Sequence, residues 1–415
     1  MADILAVISP LTPRASTCGY CGPPGKRSMA QTNVHAAEFI PMDCTCMAYQ
    51  KLIDRGWRRS GTYCYKPDLK RSCCPQYTIK LDSLEFKASK SQRKLLNRFN
   101  RWTLHDDSTS GGGKDIHRQA IKATKDVEFI LTDAIHASEY RPNSGSELAH
   151  RFEVTLEPSS FTPEKFALYQ TYQREVHKEE EEKGSASFKR FLVDNPLQRN
   201  TIPYTREPAA HLPREYGAYH QLYRIDGELV AVGVIDILPN CVSSVYFMYD
   251  PKWERFSLGK LSALREITLA KEMYDAGAPG MQYLYMGFYI HSCPKMRYKA
   301  EYVPSHLLDP EEYSWHPLDQ CIPILDKFRY ATFAHPEHSL ERVYDGPALQ
   351  PSLPESWLND LQLLVRGDRG RHALIHVVDT DDWKEPEKKH AITTVAYGLG
   401  PDLSKQIVFY LAHVL

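Results

Sequence analysis

The strongest constraint on the fold is the order of secondary-structure patterns in residues 217–290. Two strand patterns flank Asp226-Gly227, a dipeptide typical of a two-residue hairpin turn, and Asp250-Pro251 ends a third. A helix pattern ending at Gly277 follows, and then another strand pattern. The predicted elements are strands 219–225, 229–238 and 242–249, a helix from Ser257 to about Tyr274, and a strand over 281–289. Three consecutive antiparallel strands, a helix and a further strand indicate an α+β fold.

This β-β-β-α-β order is the kernel of the GNAT acyltransferase architecture, a mixed, largely antiparallel sheet flanked by helices; the analogy concerns the fold alone. In members that use acetyl-CoA, a glycine-rich loop at the helix N-terminus binds the pyrophosphate. The corresponding residues 253–259 read Trp-Glu-Arg-Phe-Ser-Leu-Gly, with too few small side chains for such a loop. The sequence therefore predicts a GNAT-like domain that does not use acetyl-CoA. An acyl-CoA-dependent GNAT enzyme is the weaker alternative.

The 415 residues are enough for two or three domains. We divide the chain into a Cys-rich metal-binding and basic-helix module at 1–105, a linker or lid at 106–150, a GNAT-like transfer domain at 151–336 and a C-terminal extension of unknown role at 337–415. The linker contains three consecutive glycines at 111–113 and has little hydrophobic periodicity. In the transfer domain, a strand at 152–156 precedes a helix that we expect to begin after Thr162 and to run into the acidic residues 179–182.

Composition narrows the range of partners. Lys and Arg number 51 against 52 Asp and Glu, a balance that excludes a bulk nucleic-acid coat protein but not a local basic patch. No apolar run approaches the roughly 18 residues of a membrane span, and the apolar residues 4–8 lack the preceding basic segment of a signal peptide. We therefore expect no membrane contact and a reducing, cytoplasmic location, with the nucleus as an alternative.

Of the ten cysteines, seven precede residue 75: Cys18, Cys21, Cys44, Cys46, Cys64, Cys73 and Cys74. In a reducing compartment, such clusters are more often metal ligands or redox groups than disulfides. Cys18 and Cys21 form a C-x-x-C pair. The adjacent Cys73 and Cys74 can reach one centre only where the backbone turns, which Pro75 favours. Four thiolates suit zinc or an iron–sulfur cluster, and free buried thiols are the alternative.

Two segments carry cations in patterns that suit RNA. Residues 57–81 interleave aromatic rings with cations, including Arg58 and Arg59, as phosphate contact and base stacking require. Residues 87–101 hold six cations and no anion, and a helix would place five of them on one face: Lys87, Lys90, Lys94, Arg98 and Arg101. We predict RNA contacts for these seven side chains. The alternatives are a small aromatic core in the first segment and an ordinary solvated helix face in the second.

Several sequence strings, in two blocks, resemble one known family. The first block contains 18–21, 52–61 and 73–77 (Cys-Cys-Pro-Gln-Tyr); the second contains 246–251, 257–259, 283–290 (Tyr-Leu-Tyr-Met-Gly-Phe-Tyr-Ile) and 295–299. These strings are similar to those of the eukaryotic arginyl-tRNA protein transferase family, which attaches arginine to protein N-termini. The resemblance covers residues 15–105 and 150–335, and 337–415 contain no motif that we can interpret.

The resemblance implies an enzyme that transfers arginine from arginyl-tRNA to proteins whose N-terminal residue is Asp, Glu or oxidised Cys. The product would be an N-degron, a signal for ubiquitin-dependent degradation, so ubiquitin ligase machinery is a further expected partner. The resemblance also implies that Cys18, Cys21, Cys73 and Cys74 bind a regulatory centre, either a [4Fe-4S] cluster or zinc, and that the predicted RNA partner is tRNA. A metal-dependent tRNA-binding or scaffold protein with an inactive GNAT-like domain is the alternative.

Such a transfer needs little covalent catalysis. The amino acid is held on the tRNA ribose as an ester, and the acceptor's α-amine, with a pKa of about 7.7–8.0, is partly neutral at cellular pH. The enzyme has to align the two groups, stabilise the tetrahedral oxyanion and return a proton to the ribose oxygen. We find no Ser-His-Asp or Cys-His motif, which agrees with direct aminolysis.

Charge and strand position suggest the substrate-binding side chains. Asp236, on a predicted hairpin strand, is the first candidate to bind the donor's guanidinium group, and Glu266 is the second. An acidic acceptor needs cations, and Lys295, Arg297 and Lys299 alternate at the period of a strand. The alternatives are an exposed strand carboxylate at Asp236 and solvated or tRNA-contacting side chains for the three cations.

Tyr285 and Tyr289 are the predicted catalytic side chains. They are four residues apart in one predicted strand, which would place both on the same face. From that face their hydroxyls would hydrogen-bond the ester or the ribose. Packing within a Tyr-rich strand is the alternative.

Overall fold

The computed structural model describes residues 4–23, 25–106, 128–140, 148–179, 181–348, 350–366 and 372–411. These residues form an α+β structure with two mixed sheets of nine strands each. Most of the predicted linker, including its glycines at 111–113, lies outside the described residues. Within the described ranges, no helix is long and apolar enough to cross a membrane.

The first sheet takes its strands mainly from the two terminal parts of the chain, and the second takes its strands mainly from the middle. In chain order they are β1 (Ala6–Leu11), β2 (Ala15–Ser16), β3 (Asn33–Thr45), β4 (Arg58–Ser60), β5 (Tyr63–Pro67), β6 (Tyr77–Asp82), β7 (Phe152–Pro158), β8 (Leu197–Gln198), β9 (Asn200–Thr201), β10 (Glu215–Ile225), β11 (Glu228–Leu238), β12 (Cys241–Tyr249), β13 (Tyr283–Tyr289), β14 (Ser305–Leu308), β15 (Trp315–Pro317), β16 (Gln362–Arg366), β17 (His372–His376) and β18 (Ile407–Phe409). The first sheet has the order β17-β16-β18-β1-β3-β5-β4, with β2 and β8 paired to β3. The second has the order β15-β14-β6-β13-β12-β11-β10-β7, with β9 paired to β10.

The helices lie between these strands in the chain. The described helices are α1 (Cys46–Ile53), α2 (Lys90–His105), α3 (Leu131–His136), α4 (Pro163–Glu175), α5 (Ser185–Phe188), α6 (Leu258–Asp275), α7 (Pro294–Arg297), α8 (Leu318–Leu325), α9 (Glu355–Leu358), α10 (Pro386–Leu399) and α11 (Pro401–Ser404). Short 3-10 turns also occur, among them Pro251–Phe256 before α6 and Tyr298–Glu301 after α7.

The first sheet is built from both ends of the chain. β1 lies between β3 and the parallel β18, with Ala6 opposite Ile407. α10 packs on this sheet, and the Trp57 indole donates a hydrogen bond to Gly398 O at 3.1 Å. A side chain at Gly398 would collide with Trp57, because an added Cβ would lie 2.8 Å from the ring. The extension at 337–415, for which the sequence predicts no role, therefore completes the sheet of the Cys-rich module.

The second sheet contains the predicted β-β-β-α-β order, which confirms the α+β prediction. β10 and β11 form the hairpin, and Asp226 and Gly227 turn it with φ angles of 51° and 85°. Left-handed values at both positions are those of a type I′ turn, which favours Asp-Gly. β12 pairs with β11, α6 follows, and β13 returns parallel to β12. The apolar side chains of α6 pack against β12 and β13.

One strand joins the two sheets across a predicted domain boundary. β6 belongs in sequence to the Cys-rich module but pairs with β13 and β14 of the second sheet. The apolar core is continuous as well, and one cluster of buried side chains includes Phe39, Trp57, Leu81, Ile235, Leu284 and Ile392. The divisions drawn at 105 and 336 therefore do not separate the two sheets.

One helix is shorter than the sequence predicts. The Thr162 hydroxyl caps α4 as expected, by accepting a hydrogen bond from the backbone in the first turn at 3.2 Å. The helix ends at Glu175 and does not reach 179–182, because Lys178 adopts a left-handed φ of 58°. The loop that follows α4 places His177 close to the middle of the second sheet.

Candidate active site and metal centre

The second sheet opens near its centre, between β12 and β13. These parallel strands pair over three residues, ending with Ser243 opposite Tyr285. Beyond this pair the strands separate, and we call the opening bounded by 244–249 and 286–289 the strand gap. The backbone N–H and C=O groups that face the strand gap do not pair between β12 and β13.

Each strand carries a bulge at the strand gap. On β12, the register against β11 shifts so that Val245 is the extra residue. On β13, the register against β6 shifts between Tyr285 and Phe288, where Gly287 adopts a φ of 67°. A bulge leaves the extra residue outside the regular ladder and bends the strand. Bulges on both strands therefore widen the gap and leave backbone groups facing into it.

The β13 bulge overturns the predicted arrangement of Tyr285 and Tyr289. The two tyrosines pair with β6 residues three positions apart, so their side chains lie on opposite faces of the sheet. The Tyr285 hydroxyl donates a hydrogen bond to the Asp54 carboxylate, and the Tyr289 hydroxyl lies 2.9 Å from His291 Nδ1. Both rings are buried. The shared face predicted for them is wrong, because the sequence pattern assumed an unbroken strand.

Two buried cations hold the backbone of the β13 bulge. Arg58 donates hydrogen bonds to Gly287 O at 3.2 Å and to Trp57 O at 2.7 Å, and Lys299 Nζ donates to Phe288 O at 2.6 Å. Burial, assisted by Arg58, lowers the pKa of Lys299 to about 7. A phosphate contact by Arg58, which the sequence predicted, does not fit a side chain that is buried against these carbonyls.

Arg59 on β4 of the first sheet and Asp236 on β11 of the second sheet form a buried pair. Asp236 is fully buried, and its two carboxylate oxygens accept hydrogen bonds from Arg59 Nε at 2.9 Å and from Arg59 Nη2 at 2.5 Å. Each predicted role, phosphate contact by Arg59 and guanidinium binding by Asp236, needs a free side chain. Both predictions are wrong in this structure, since Asp236 already binds a guanidinium group of its own chain.

Glu266, the second candidate for the donor's guanidinium, lies beside the strand gap. It projects from α6, is 3% exposed and accepts a hydrogen bond from Ser262 Oγ at 2.8 Å. Burial raises the pKa of Glu266 to about 7, while the hydroxyls of Ser262 and Ser244 oppose this shift. Ser244 is the first residue of β12 beyond the last strand pair. Among the described residues, no cation forms a salt bridge with Glu266, which leaves a buried carboxylate with hydroxyl partners only.

Lys295, Arg297 and Lys299 do not lie on a strand. Pro294 occupies the first turn of α7, where its fixed φ favours a helix, and a 3-10 turn follows. The common strand face predicted for the three cations is therefore wrong: Lys295 and Arg297 are exposed, and Lys299 is buried. Lys295 Nζ lies 3.3 Å from His177 Nδ1, and burial together with Lys295 lowers the pKa of His177 to about 4.

The four cysteines predicted to bind one centre meet in the structure. The sulfurs of Cys18, Cys21, Cys73 and Cys74 all lie within 4.8 Å of one another. Cys73 Sγ is 3.6 Å from Cys21 Sγ and 3.8 Å from Cys74 Sγ. A cluster of four thiol groups could hold a metal centre, which confirms the coarser prediction. The other early cysteines, Cys44, Cys46 and Cys64, are buried near β3, α1 and β5.

The cysteine cluster adjoins the segment that follows β13. Cys18 and Cys74 pack with Ile290 and Cys293, and Met296 covers the same group. Ile290 directly follows β13, and Cys293 precedes α7. A group held by the four cysteines would therefore support the chain between the strand gap and Lys295.

The predicted basic helix is present as α2, with a capping box formed by Ser89 and Gln92. Its apolar face is buried, and Phe99 packs edge-on against Phe152 and Phe256 of the transfer domain. The five predicted tRNA-contacting cations are all exposed: Lys87, Lys90, Lys94, Arg98 and Arg101. Lys87 precedes the helix, and the other four share one helical face. Their contact with tRNA stays a prediction.

The backbone clamp formed by Arg58 and Lys299 was not predicted from the sequence. A signal was present in Gly287, because a glycine inside a strand pattern often marks a bulge. The partners of the bulge could not be found in the same way, since Arg58 is 229 residues away in sequence.

Two family models match this chain. Residues 16–94 match the model described as Arginine-tRNA-protein transferase, N terminus, and residues 164–309 match the model described as Arginine-tRNA-protein transferase, C terminus. The first match contains the cysteine cluster, and the second contains Glu266, Gly287 and Lys299 at the strand gap.

Curated relatives extend these matches over most of the chain. Arginyl-tRNA--protein transferase 1 of Drosophila melanogaster is 32% identical over 88% of this chain and 91% of its own length, and the protein of that name in Saccharomyces cerevisiae is 31% identical over 69% and 58%. Aspartate/glutamate leucyltransferase of Campylobacter jejuni is 28% identical over 64% and 82%. Among solved structures, L-PGS from Bacillus licheniformis matches 57% of this chain and 48% of its own, at 14% identity and a TM-score of 0.23, which is too low to carry an argument.

Proposed function

This chain belongs to the arginyl-tRNA--protein transferase family, enzymes that transfer arginine from arginyl-tRNA to proteins, and we propose that the transfer takes place at the strand gap of a GNAT-like domain. One observation carries the proposal: a buried carboxylate, two buried cations and two strand bulges converge on a single opening in the sheet. The first turn of α6 supports it, since Gly259 lies against Phe247 on the β12 side of the gap.

The proposed reaction is an aminolysis. The amine nitrogen of the acceptor forms a bond to the ester carbonyl carbon, the bond from that carbon to the ribose oxygen breaks, and the proton lost by the nitrogen goes to the ribose oxygen. Backbone amides freed by the bulges are suited to hydrogen-bond the tetrahedral oxyanion. Lys299, with a pKa of about 7, can exchange a proton near neutral pH, and we assign the proton relay to it.

Arginine is recognised in this proposal by Glu266. A guanidinium group is a planar donor that matches both oxygens of a carboxylate. The Glu266 carboxylate is buried, lies next to Ser244 at the mouth of the gap and has no salt-bridge partner among the described residues. Binding of the donor's side chain would supply the missing positive charge and favour the ionised form of Glu266.

The acceptor is proposed to be the α-amine of a protein that begins with Asp, Glu or oxidised Cys. Lys295 and Arg297 are the exposed cations on the segment that leaves the strand gap, and an acidic side chain can pair with either. The Campylobacter relative supports this choice, because its name, aspartate/glutamate leucyltransferase, mentions the same two acidic residues although the transferred amino acid is leucine.

The cysteine cluster is proposed to hold zinc or a [4Fe-4S] cluster through Cys18, Cys21, Cys73 and Cys74. Both groups take four thiolates, and the mutual distances of the sulfurs suit either. The bound group would supply a rigid cross-link between two segments of the N-terminal module. Ile290 and Cys293 pack on that cross-link, so its proposed role is to position the acceptor-binding cations.

The tRNA is proposed to lie along the basic face of α2, where phosphates would meet exposed cations. Arg98 donates a hydrogen bond to Arg255 O at 2.8 Å, which brings this face close to the turn before α6. We also propose that the arginylated product is an N-degron, with ubiquitin ligase machinery as a partner, and that the protein acts in the cytoplasm or the nucleus.

The test is transfer of labelled arginine from arginyl-tRNA to three peptides that differ only at the N-terminus: Asp, N-acetyl-Asp and Gly. We expect label on the Asp peptide alone, because acetylation removes the nucleophile and Gly lacks the acidic side chain. Equal labelling of the Gly peptide would contradict the acceptor assignment. Equal labelling of the acetylated peptide would contradict attack by the α-amine.

A further inference from the structure

A cavity of about 570 Å³ lies on the α6 side of the second sheet, toward the β7 edge. α3, α6, the loop before β10 and the edge strand β7 form its walls. None of the residues that bound the strand gap lines this cavity, and neither does Glu266. Neither the sequence patterns nor the proposed transfer reaction assigns this cavity a role.

Three side chains from three separate segments meet at this cavity. His136 ends α3, His211 lies in the loop before β10, and Glu272 lies in the last turns of α6. Glu272 Oε1 is 2.9 Å from His136 Nε2, and Glu272 Oε2 is 3.2 Å from His211 Nε2. Zinc binds nitrogen and oxygen atoms at about 2.0–2.1 Å, so in a tetrahedral site these atoms lie about 3.4 Å from one another. Small side-chain movements would therefore bring all three side chains onto one ion.

The supporting contacts of His136 are those of a metal ligand. Its other ring nitrogen, Nδ1, is 2.6 Å from Glu139 Oε2, and Arg265 pairs with the second oxygen of Glu139. A carboxylate on the far nitrogen of a histidine fixes the ring and directs the near nitrogen at the ion. Arg265 and Glu272 are seven residues apart on α6, so one helix face supplies both a ligand and the support of another ligand.

We propose that His136, His211 and Glu272 bind a divalent transition-metal ion, with zinc as the best chemical fit. Two imidazoles and one carboxylate are ligands that zinc accepts, and the side of the cluster that faces the cavity stays open to water or to a small anion. His211 is about half exposed, whereas His136 and Glu272 are largely covered, so the open side is the side of His211. The ion would tie α3 and the loop before β10 to α6.

The competing arrangement is an ion-pair cluster without metal. Hydrogen bonds that the His136 ring donates to Glu139 and Glu272 raise its pKa to about 9, so in the absence of an ion the ring carries a proton between two carboxylates. A metal ion would have to displace that proton, and the two arrangements therefore exclude each other. Metal content, rather than stability or activity, distinguishes them.

The experiment measures zinc per chain after full-length protein is loaded with zinc and dialysed. We compare wild type, His211→Ala and His376→Ala, the last being a matched control that removes an exposed histidine elsewhere. His211→Ala should lose one equivalent of zinc relative to wild type, and His376→Ala should lose none. Equal zinc content in wild type and His211→Ala would overturn the proposal. Because His211 is half exposed, its replacement leaves the core intact.

Cobalt substitution separates this site from the cysteine cluster. Cobalt bound to nitrogen and oxygen ligands gives visible bands without the thiolate charge-transfer absorption of a cysteine site. Those bands should persist in Cys73→Ser and vanish in His211→Ala. Glu139→Gln, which keeps all three ligands, should weaken zinc binding about 10- to 100-fold. Thiolate-type absorption as the sole cobalt signal, or unchanged zinc affinity in Glu139→Gln, would contradict the site.

Discussion

At the scale of single residues, donor specificity is predicted to depend on the Glu266 carboxylate. Glu266→Gln keeps the shape of the side chain but removes the charge that pairs with the donor's guanidinium. A hydrogen bond to a charged group contributes about 1.5–3 kcal/mol, so kcat/KM for arginyl-tRNA should fall about 10- to 150-fold. Steady-state transfer assays measure this effect. Glu254→Gln, at an exposed position just before α6, is the control and should behave as wild type.

The raised pKa of Glu266 also predicts a pH dependence of donor binding. Burial favours the protonated carboxyl up to a pH of about 7, and the protonated form cannot pair with a guanidinium. The affinity for arginyl-tRNA relative to uncharged tRNA should therefore fall as the pH is lowered below 7. Binding titrations between pH 6 and 8 test this, and uncharged tRNA corrects for other titrating groups. A ratio that does not change with pH would remove Glu266 from the arginine-binding site.

The Arg59–Asp236 pair is predicted to serve stability rather than substrate binding. Asp236→Asn would leave a buried guanidinium group without its counter-charge, and breaking a buried pair in this way costs about 3–5 kcal/mol. Urea unfolding should show this loss. As a control, Glu207→Gln breaks the exposed pair with Arg214 and should leave the free energy of unfolding unchanged. A stable Asp236→Asn protein with weak donor binding would restore the original role of Asp236.

At the scale of elements, the bulge on β13 is predicted to be needed for transfer. Gly287 has a φ of 67°, where a side chain costs about 1–2 kcal/mol even though an added Cβ would meet nothing closer than 3.9 Å. Gly287→Ala should therefore lose about this stability and also lower kcat, because the backbone facing the gap shifts. Gly227→Ala, in the β10–β11 turn with a φ of 85°, carries the same backbone cost far from the gap. Equal transfer rates in the two variants would argue against a catalytic role for the bulge.

Elements with local signals could be predicted from the sequence, and elements set by distant contacts could not. Asp226-Gly227 determines a tight turn by its own backbone preferences, and the spacing of cations along α2 follows from the helical period. The face of Tyr289 depends on a bulge, and a bulge shifts every later side chain by one position. The period-two pattern of 295–299 predicted a strand, which is wrong because Pro294 begins a helical turn there.

The same distinction explains which parts of the candidate site could be predicted from the sequence. The four cysteines could be grouped by their chemistry, since few side chains bind soft metals. The predicted role of Asp236 rested on its place in a hairpin strand, and a carboxylate on a strand pattern carries no sign of what will pair with it. Its partner, Arg59, is 177 residues away, and only the folded chain brings the two together.

At the scale of the whole molecule, the N-terminal and C-terminal parts of the chain both support the strand gap. The C-terminal strand β18 completes the first sheet, that sheet carries the N-terminal module, and β6 connects the module to the strand gap. The cysteine cluster makes a second connection, through Ile290 and Cys293, to the segment that bears Lys295. The cysteine cluster and the proposed acceptor site are therefore coupled by packing, whereas the basic face of α2 lies on a separate element.

This architecture predicts that loss of the metal centre weakens acceptor binding and leaves tRNA binding unchanged. Cys73→Ser removes one of four ligands, so the cysteine cluster should lose its zinc or its iron–sulfur absorbance. With the centre gone, the segment after β13 is less firmly held, and KM for an Asp-initiated peptide should rise several-fold. The dissociation constant for tRNA, measured by filter binding, should stay that of wild type, since α2 does not contact the cluster. Metal-depleted and reloaded wild-type protein provides the control, and an equal loss of tRNA binding would show that the centre supports the whole fold instead.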